Sequence, residues 1–388
     1  MQHVVVLFEF PTLNGGEHSM LSVLDMLQEE GAFQFTALAP GVGLLADELT
    51  KRQIPVRDFS IRNEAGEKCS FDVIERRLSD LLNELRPDIL HANSLSMSRL
   101  TGQLESDTLP PLKRTGHLRD IIRLKKKVVS DLNRNDGLIA VSTATSDFHV
   151  AQGLDPSRCR VVHNGVDTVR FQPRDGATLH AKLFPSVPAT HTILLNVGQI
   201  CLRKGQLDLA QAVVGLLQDH SNVHLAFVGQ RHSMKQESVE YEAAIQQEFI
   251  QAGFGTHLHM LGYRDDIPDL MNAADLLVHA ARQEPFGRTL LEAASSGLPI
   301  IATNVGGTTE LLRPGTDATL VSSGDVASLT AAIDKALSTP ELCCSLAASA
   351  RQRIEANFTI KNAADQLAEF WNIQEDRRKR DARGHQST

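Results

Sequence analysis

Leu276-Leu277-Val278-His279-Ala280, leading into Glu284-Pro285-Phe286-Gly287-Arg288-Thr289-Leu290-Leu291-Glu292, is the stretch on which the fold of this chain turns. The first segment is an apolar run of strand length. The second passes through a turn with Pro and Gly into a helical pattern starting near Arg288. A strand that feeds a helix in this way is the repeating unit of a parallel α/β sheet, and open sheets of that kind bind ligands outside the carboxyl ends of their strands. Glu284 and Glu292 therefore stand where a ligand is expected. With a rise of about 1.5 Å per helical residue, the two carboxylates lie about 10 Å apart. A retaining glycosidase holds its acid pair at about 5 Å, so nucleophile and proton donor fit poorly, and two ends of one long ligand fit better. Phe286, Gly287 and Arg288 lie between them at the helix start, where backbone N–H groups and the dipole favour an anion. A diphosphate there, with a carboxylate taking hydroxyl groups at each end, describes a nucleotide sugar. A solvated helix glutamate beside a loop glutamate satisfies the same spacing.

The alternation of strand and helix extends outward over nearly the whole chain. Strands are expected at 3–10, 35–39, 88–91, 137–141 and 160–162 in the first half. In the second they are expected at 192–197, 223–228, 257–261, 275–280, 299–303 and 318–321. Each set suffices for one doubly wound parallel sheet. Phe171-Gln172-Pro173-Arg174-Asp175-Gly176, followed by Pro185 and Pro188, is the expected boundary. The domains are thus 1–170 and 171–359, and two such domains facing one another make a cleft, the usual place for a small-molecule site. Residues 373–388, with Arg377-Arg378-Lys379-Arg380, carry charge without apolar periodicity and are expected to be a disordered tail.

At 388 residues the chain is long enough for two cores, and its net charge of -8 argues against a nucleic-acid surface, which needs a basic excess. The five cysteines, Cys69, Cys159, Cys201, Cys343 and Cys344, form no CxxC pair and no metal-ligand spacing with histidine, which points to a reducing compartment. Val4-Val5-Val6-Leu7-Phe8 reads as a first strand, and no run approaches the roughly 18 apolar residues of a membrane span. A cytoplasmic protein is expected, with peripheral attachment at the inner membrane face as an option.

Other residues stand at positions that suit chemistry. Gly15-Gly16 follows the first strand and precedes a helix, so bare backbone there can approach a phosphate or sugar; it also suits a tight turn. There is no GxGxxG, which counts against a dinucleotide-binding oxidoreductase. In Gly198-Gln199-Ile200-Cys201-Leu202-Arg203-Lys204-Gly205, after another strand, Arg203 and Lys204 can hold a diphosphate and stabilise charge on it as it leaves, or can simply be solvated. His117, in Thr115-Gly116-His117-Leu118-Arg119, is expected on a loop facing the cleft, whereas His91 and His163 read as structural. Arg119, Arg123 and Lys126 or Lys127 recur at helical spacing beside Ile122 and Val129, as in a basic amphipathic helix against an anionic membrane or acceptor, or as a solvated face.

Together these residues resemble glycosyltransferase family 4, the retaining, nucleotide-sugar-dependent enzymes of GT-B fold, also known as glycosyl transferases group 1. The resemblance spans most of residues 1–372. Its specific pieces are Val162-His163-Asn164-Gly165-Val166-Asp167, Lys204-Gly205, Leu261-Gly262-Tyr263-Arg264-Asp265-Asp266-Ile267-Pro268 and Glu284-Pro285-Phe286-Gly287. Gly297-Leu298-Pro299-Ile300-Ile301-Ala302-Thr303 and Gly306-Gly307-Thr308-Thr309-Glu310 follow in the family's order. The resemblance implies two Rossmann-like domains and a last helix, about 360–372, that returns to the first. It implies that Glu292 binds the donor ribose and Glu284 the transferred sugar, with backbone near Phe286, Gly287 and Arg288 on sugar and diphosphate. Lys204 would take the diphosphate with Gly15-Gly16, Tyr263 and Arg264 would border the base, and His117 would lie near the reacting centre. The family usually has arginine five residues before the lysine; here Gln199 stands there and cannot neutralise a phosphate, a charge that falls to Arg203.

The expected reaction is transfer of a hexose-type unit from a nucleoside diphosphate sugar, with uridine as the preferred base, to a hydroxyl of a carbohydrate or lipid-linked acceptor. Anomeric retention, no cofactor and no metal are implied, with Lys204, Arg203 and the helix start stabilising the leaving diphosphate. A sugar phosphorylase, a sugar-nucleotide epimerase and a non-catalytic nucleotide-sugar-binding protein are the alternatives, the last kept open by Gln199.

Overall fold

Val4, Val5, Val6 and Leu7 have essentially no exposed surface on either side of the strand, as expected at the centre of a parallel sheet covered on both faces. In the computed structural model, which describes residues 1–384 except Ser106 and Thr108 and side chains as far as Asn372, this run is β1 (Gln2–Leu7). The other strands of its sheet are β2 (Phe33–Ala39), β3 (Val56–Asp58), β4 (Ile89–Ala92), β5 (Lys113–Leu118), β6 (Gly137–Ala140) and β7 (Cys159–Val161). They lie in the order β3-β2-β1-β4-β5-β6-β7, and every pairing is parallel. A second sheet contains β8 (Thr192–Val197), β9 (Val223–Val228), β10 (Leu258–Met260), β11 (Leu276–His279), β12 (Ile300–Thr303) and β13 (Thr319–Val321). Its order, β10-β9-β8-β11-β12-β13, repeats the doubly wound plan. The fold is thus two doubly wound parallel α/β sheets, one in each half of the chain.

By internal contacts the chain divides into one unit made of Met1–Gly165 with the segment from Ile360 onward, and another made of Val166–Thr359. The division precedes the expected boundary near 170 because Val166 belongs with the far end of the second unit. Its N–H donates to the Phe358 carbonyl at 2.9 Å, and it bridges to Thr359.

The last helix, Ile360–Gly384, packs against the helix Gly15–Glu29 of the first unit. It delivers Ala363, Ala364, Leu367, Phe370 and Trp371 into the core with Met20, Leu24 and Phe33. Trp371 is fully buried, edge-on to Phe33 with centroids 5.4 Å apart. Burial of so large a ring stabilises the unit by about 4 kcal/mol. The helix runs past the expected end near 372. Of residues 373–384 only the backbone is described, and the expectation of a disordered tail for the remainder of 373–388 lies outside the described residues.

Two expectations need correction. Residues 113–118 are not a loop but β5, between β4 and β6, and His117 on it is only 5% exposed. Lys113-Arg114-Thr115-Gly116-His117-Leu118 lacks an apolar run, yet its polar groups find partners: Thr115 with His91 and the Leu90 carbonyl, Arg114 with the Thr101 and Leu104 carbonyls. The basic amphipathic helix through Arg119, Arg123 and Lys127 does not form either. Residues 119–125 are irregular, and a helix starts only at Lys126–Leu132. Arg119 is drawn inward by polar partners described below, which takes it off any common face with the lysines.

Candidate active site

In each doubly wound sheet the winding reverses at one place: between β1 and β4 in the first unit, and between β8 and β11 in the second. Side chains at the carboxyl ends of those strands point to the crevice where such sheets bind ligands.

In the second unit Glu284 stands within the loop between β11 and the helix Arg288–Ser295, and it is buried. Two donors converge on its Oε2: Lys204 Nζ at 2.6 Å and His279 Nε2 at 2.9 Å. Burial alone would raise the carboxyl's pKa, but the Lys204 ammonium and the His279 hydrogen bond outweigh it and hold Glu284 well below the usual carboxylate range. His279 is fully enclosed at the end of β11. Burial, then the charge of Lys204, keep its pKa below normal, so it is a neutral ring donating from Nε2. The Glu284 carbonyl accepts the Gly307 N–H at 3.0 Å, which ties the glycine turn after β12 to the same place.

Lys204 comes from the loop after β8, as the last residue of a short turn Leu202–Lys204. The following Gly205 has φ +65°, and a Cβ there would lie 1.9 Å from the Ala280 carbonyl oxygen. Only glycine lets this loop lie flat against the end of β11 with Lys204 directed at Glu284. The fully buried Gln206 holds the loop from within, donating to the Gln199 carbonyl at 2.9 Å. Arg203 is exposed and its charge also bears on His279, so it lies at the rim of the same cluster. Arg282 makes a bidentate pair with Asp208 at 2.7 and 3.0 Å, fastening the β11 loop to the helix Gln206–Leu216.

The helix Arg288–Ser295 begins at Gly287, whose φ of +107° is open to glycine and strained for other residues. Phe286 is buried beside Phe358. One turn into the helix, the buried Glu292 receives Arg288 through Nη2 at 2.6 Å and Nε at 3.1 Å. Tyr263 is well exposed in the loop after β10, and Arg264 beside it is paired through two nitrogens with Asp266.

The first unit gathers a separate set. Gly15 and Gly16 open the helix Gly15–Glu29, with Asn14 and Glu17 forming a capping box. A Cβ on Gly16 would lie 3.0 Å from Arg119 Cδ. The Arg119 guanidinium reaches Asn93 Oδ1 at 2.8 Å, Asn164 Oδ1 at 3.1 Å and His117 Nδ1 at 2.9 Å. A small pocket beside them is lined in part by Ser19, Met20, His117, His163 and Asn164.

Lys204 thus meets Glu284, Arg288 meets Glu292, and Arg203 lies beside the first pair, whereas Arg264 is engaged with Asp266. His279 and Asn93 escaped sequence reasoning. A histidine closing the strand just ahead of Glu284 was the available signal for the first, and nothing in the local sequence pointed to the second. Among the described residues no group of three or more His, Cys, Asp or Glu is arranged to hold a metal ion, and no helix is long and apolar enough to cross a membrane.

Residues 183–353 match the family of glycosyl transferases group 1, and residues 13–170 match glycosyltransferase family 4. The chain is 26% identical over 267 residues to the lipopolysaccharide core biosynthesis mannosyltransferase LpsB of Rhizobium meliloti (strain 1021), covering 65% of this chain and 73% of that protein. It is 24% identical over 386 residues to the UDP-Gal:alpha-D-GlcNAc-diphosphoundecaprenol alpha-1,3-galactosyltransferase of Escherichia coli, covering 93% of this chain and 94% of that one. In three dimensions it resembles Anabaena Alr3699/HepE, solved in complex with UDP and glucose, with a TM-score of 0.83 and 22% identity over 96% of this chain and all of the other. WaaG, a glycosyltransferase involved in lipopolysaccharide biosynthesis, gives a TM-score of 0.71 at 17% identity, over 94% and 98% of the two chains.

Proposed function

We propose, for a chain that belongs to the GT-B glycosyltransferases, that it moves a hexose-type sugar from a nucleoside diphosphate sugar to an acceptor hydroxyl with retention of anomeric configuration. The observation that carries this reading is the buried Glu284, kept ionised by Lys204 and His279 at the end of β11, with Glu292 one turn into the helix that follows. A carboxylate fixed in its ionised form is an acceptor suited to sugar hydroxyls, and a second one on the helix suits a ribose. The helix start between them favours the diphosphate.

The leaving diphosphate carries the charge that develops as the glycosidic bond breaks, so its stabilisation is the main catalytic task. Lys204 and Arg203 are assigned to it, together with Gly15 and Gly16, and they supply the charge that Gln199 does not. No metal ion and no cofactor is assigned to the transfer, and turnover abolished by a chelator would overturn that assignment. Tyr263 and Arg264 are assigned to the base, and His117 to an oxygen of the sugar near the reacting carbon. Uridine is the preferred base, a choice supported by the UDP-Gal donor named for the Escherichia coli relative and the UDP in the Anabaena structure. The mannosyltransferase and galactosyltransferase relatives support a hexose and a glycan or lipid-linked acceptor. The work of such an enzyme suits the cytoplasmic face of a membrane.

Calorimetric titration with UDP, GDP and ADP tests the donor site. One nucleotide is expected to bind, and Glu292→Ala to weaken it about tenfold to a hundredfold, the worth of charge-assisted hydrogen bonds to two hydroxyls. Equal binding by wild type and variant would remove Glu292 from the site, and no binding of any nucleotide would overturn the donor assignment.

A further inference from the structure

Arg119 sits just past the end of β5, and its guanidinium reaches the Asn93 carbonyl at 3.3 Å, Asn93 Oδ1, Asn164 Oδ1 and His117 Nδ1. A guanidinium has donors and no acceptor, and it does not lose its proton. The contact at 2.9 Å therefore requires His117 Nδ1 to accept, and the ring proton must be on Nε2. That Nε2 is enclosed and has no hydrogen-bond partner among the described residues. A buried donor without an acceptor has given up its water for nothing, so one left in a folded protein calls for an explanation.

The neighbouring His91 shows the same pattern. Its ring lies edge-on to His117 with centroids 5.8 Å apart, its Nδ1 accepts from Trp371 Nε1 at 3.3 Å, and its Nε2 is likewise enclosed without a partner. Two adjacent donors of one kind, each fixed from behind, mark a place prepared for an oxygen that accepts.

We infer that Arg119 is a positioning residue for the transfer, fixing His117 as a neutral Nε2–H donor to a hydroxyl or ring oxygen of the sugar substrate. The inference rests on the assignment of His117 to the sugar. Arg119 does not itself touch substrate; it sets the tautomer and plane of the ring that does. The causes that act on the His117 ring run in one direction. Its burial on β5 opposes a charge, as does the cation of Arg119, and so does His91 on β4; Asn93 and Asn164 are neutral, and His163 lines the adjoining pocket. With no carboxylate among these groups, His117 has its pKa well below 6.5 and stays uncharged. Its contact with substrate is then independent of pH across the neutral range, and it takes no part as a proton carrier.

Nitrogen-15 NMR of the imidazole rings in the full-length protein, with no ligand added, tests the tautomer directly. The expected result is a His117 ring protonated on Nε2 alone and invariant from pH 5 to 8. In Arg119→Met the ring is expected to become a mixture of tautomers and to titrate within that range. Hydrolysis of UDP-glucose and of GDP-mannose supplies the kinetic arm. In Arg119→Met kcat is expected to fall about 10²-fold, as for a reacting group displaced by about 1 Å, with a new ionisation in its pH profile. In Arg119→Lys, which keeps the charge, the profile is expected to stay flat and part of the rate to return. A purely structural role would lower the rate of both variants without altering the profile. A wild-type ring that titrates between pH 5 and 8, or carries its proton on Nδ1, overturns the inference. Expected spectra with unchanged kinetics in both variants also overturn it, while leaving the enzyme a glycosyltransferase. A wild type that turns over neither donor, with expected spectra, removes instead the assignment on which the inference rests.

Discussion

Replacing Lys204 by alanine is expected to lower kcat by about 10²–10³-fold, the usual cost of removing one donor from a site where negative charge develops. Stability should fall with it. Lys204 and Glu284 form a pair whose side chains are 14% and 9% exposed, and removing one partner of such a pair strands the other charge at a cost of about 3 kcal/mol. The two losses can be separated by pH and by a second substitution. In the wild type the folded pKa of Glu284 lies below its ordinary 4.5, so its contribution to stability is present above 4.5 and is lost only as pH falls through the lower folded value. Without Lys204 the effect of burial takes over and the folded pKa rises. The carboxyl then favours folding at low pH and ceases to do so as pH increases through the new value. The difference in melting temperature between wild type and Lys204→Ala should therefore narrow from pH 7 to pH 5. Adding Glu284→Gln to Lys204→Ala should recover stability and none of the turnover. A double variant with restored turnover would place the leaving-group cation elsewhere.

Gly205→Ala is expected to be as damaging although it removes no functional group. Its φ of +65° disfavours any side chain, and the new Cβ would meet the Ala280 carbonyl at 1.9 Å, far inside van der Waals contact. The backbone cannot yield locally, because Arg282 N–H donates to the Arg203 carbonyl at 2.8 Å and the Lys204 N–H is bonded to Cys201. The loop must lift away from β11, carrying Lys204 off Glu284. A loss of about 3 kcal/mol in urea unfolding is expected, together with a fall in kcat comparable to that of Lys204→Ala. A variant that is stable and fully active would show that the approach of the two loops does not matter.

Strands built from Val, Leu and Ile runs were legible from sequence. Thr192–Val197 and Val223–Val228 have the bounds expected of them, since burial on both faces leaves an unbroken apolar signature. β3 and β5 were not legible. Val56–Asp58 is a short edge strand, and Lys113–Leu118 is held by side-chain hydrogen bonds that a hydrophobic pattern does not register. The carboxylate-bearing turn after β11 was visible because strand, turn and helix lie in one continuous segment. Its pairing with Lys204 joins residues 80 apart, and it follows from sheet order rather than from any local motif. Arg119 was misread for a related reason: its helical spacing with Arg123 and Lys127 was real, but Asn93 and Asn164 offered its guanidinium better partners than solvent did.

The return of the chain's end to its beginning has a consequence for synthesis. Met1–Gly165 emerges from the ribosome first, yet Trp371, which closes over Phe33 and donates to His91, is made only after the whole of Val166–Thr359. The earlier-made unit must wait with that apolar face uncovered while the later-made unit, contiguous in sequence, completes itself. Vectorial synthesis therefore finishes the unit Val166–Thr359 first. The first unit becomes complete only when the helix that carries Trp371 has emerged, so a chain cut short before Ile360 leaves that core open while the second unit is whole.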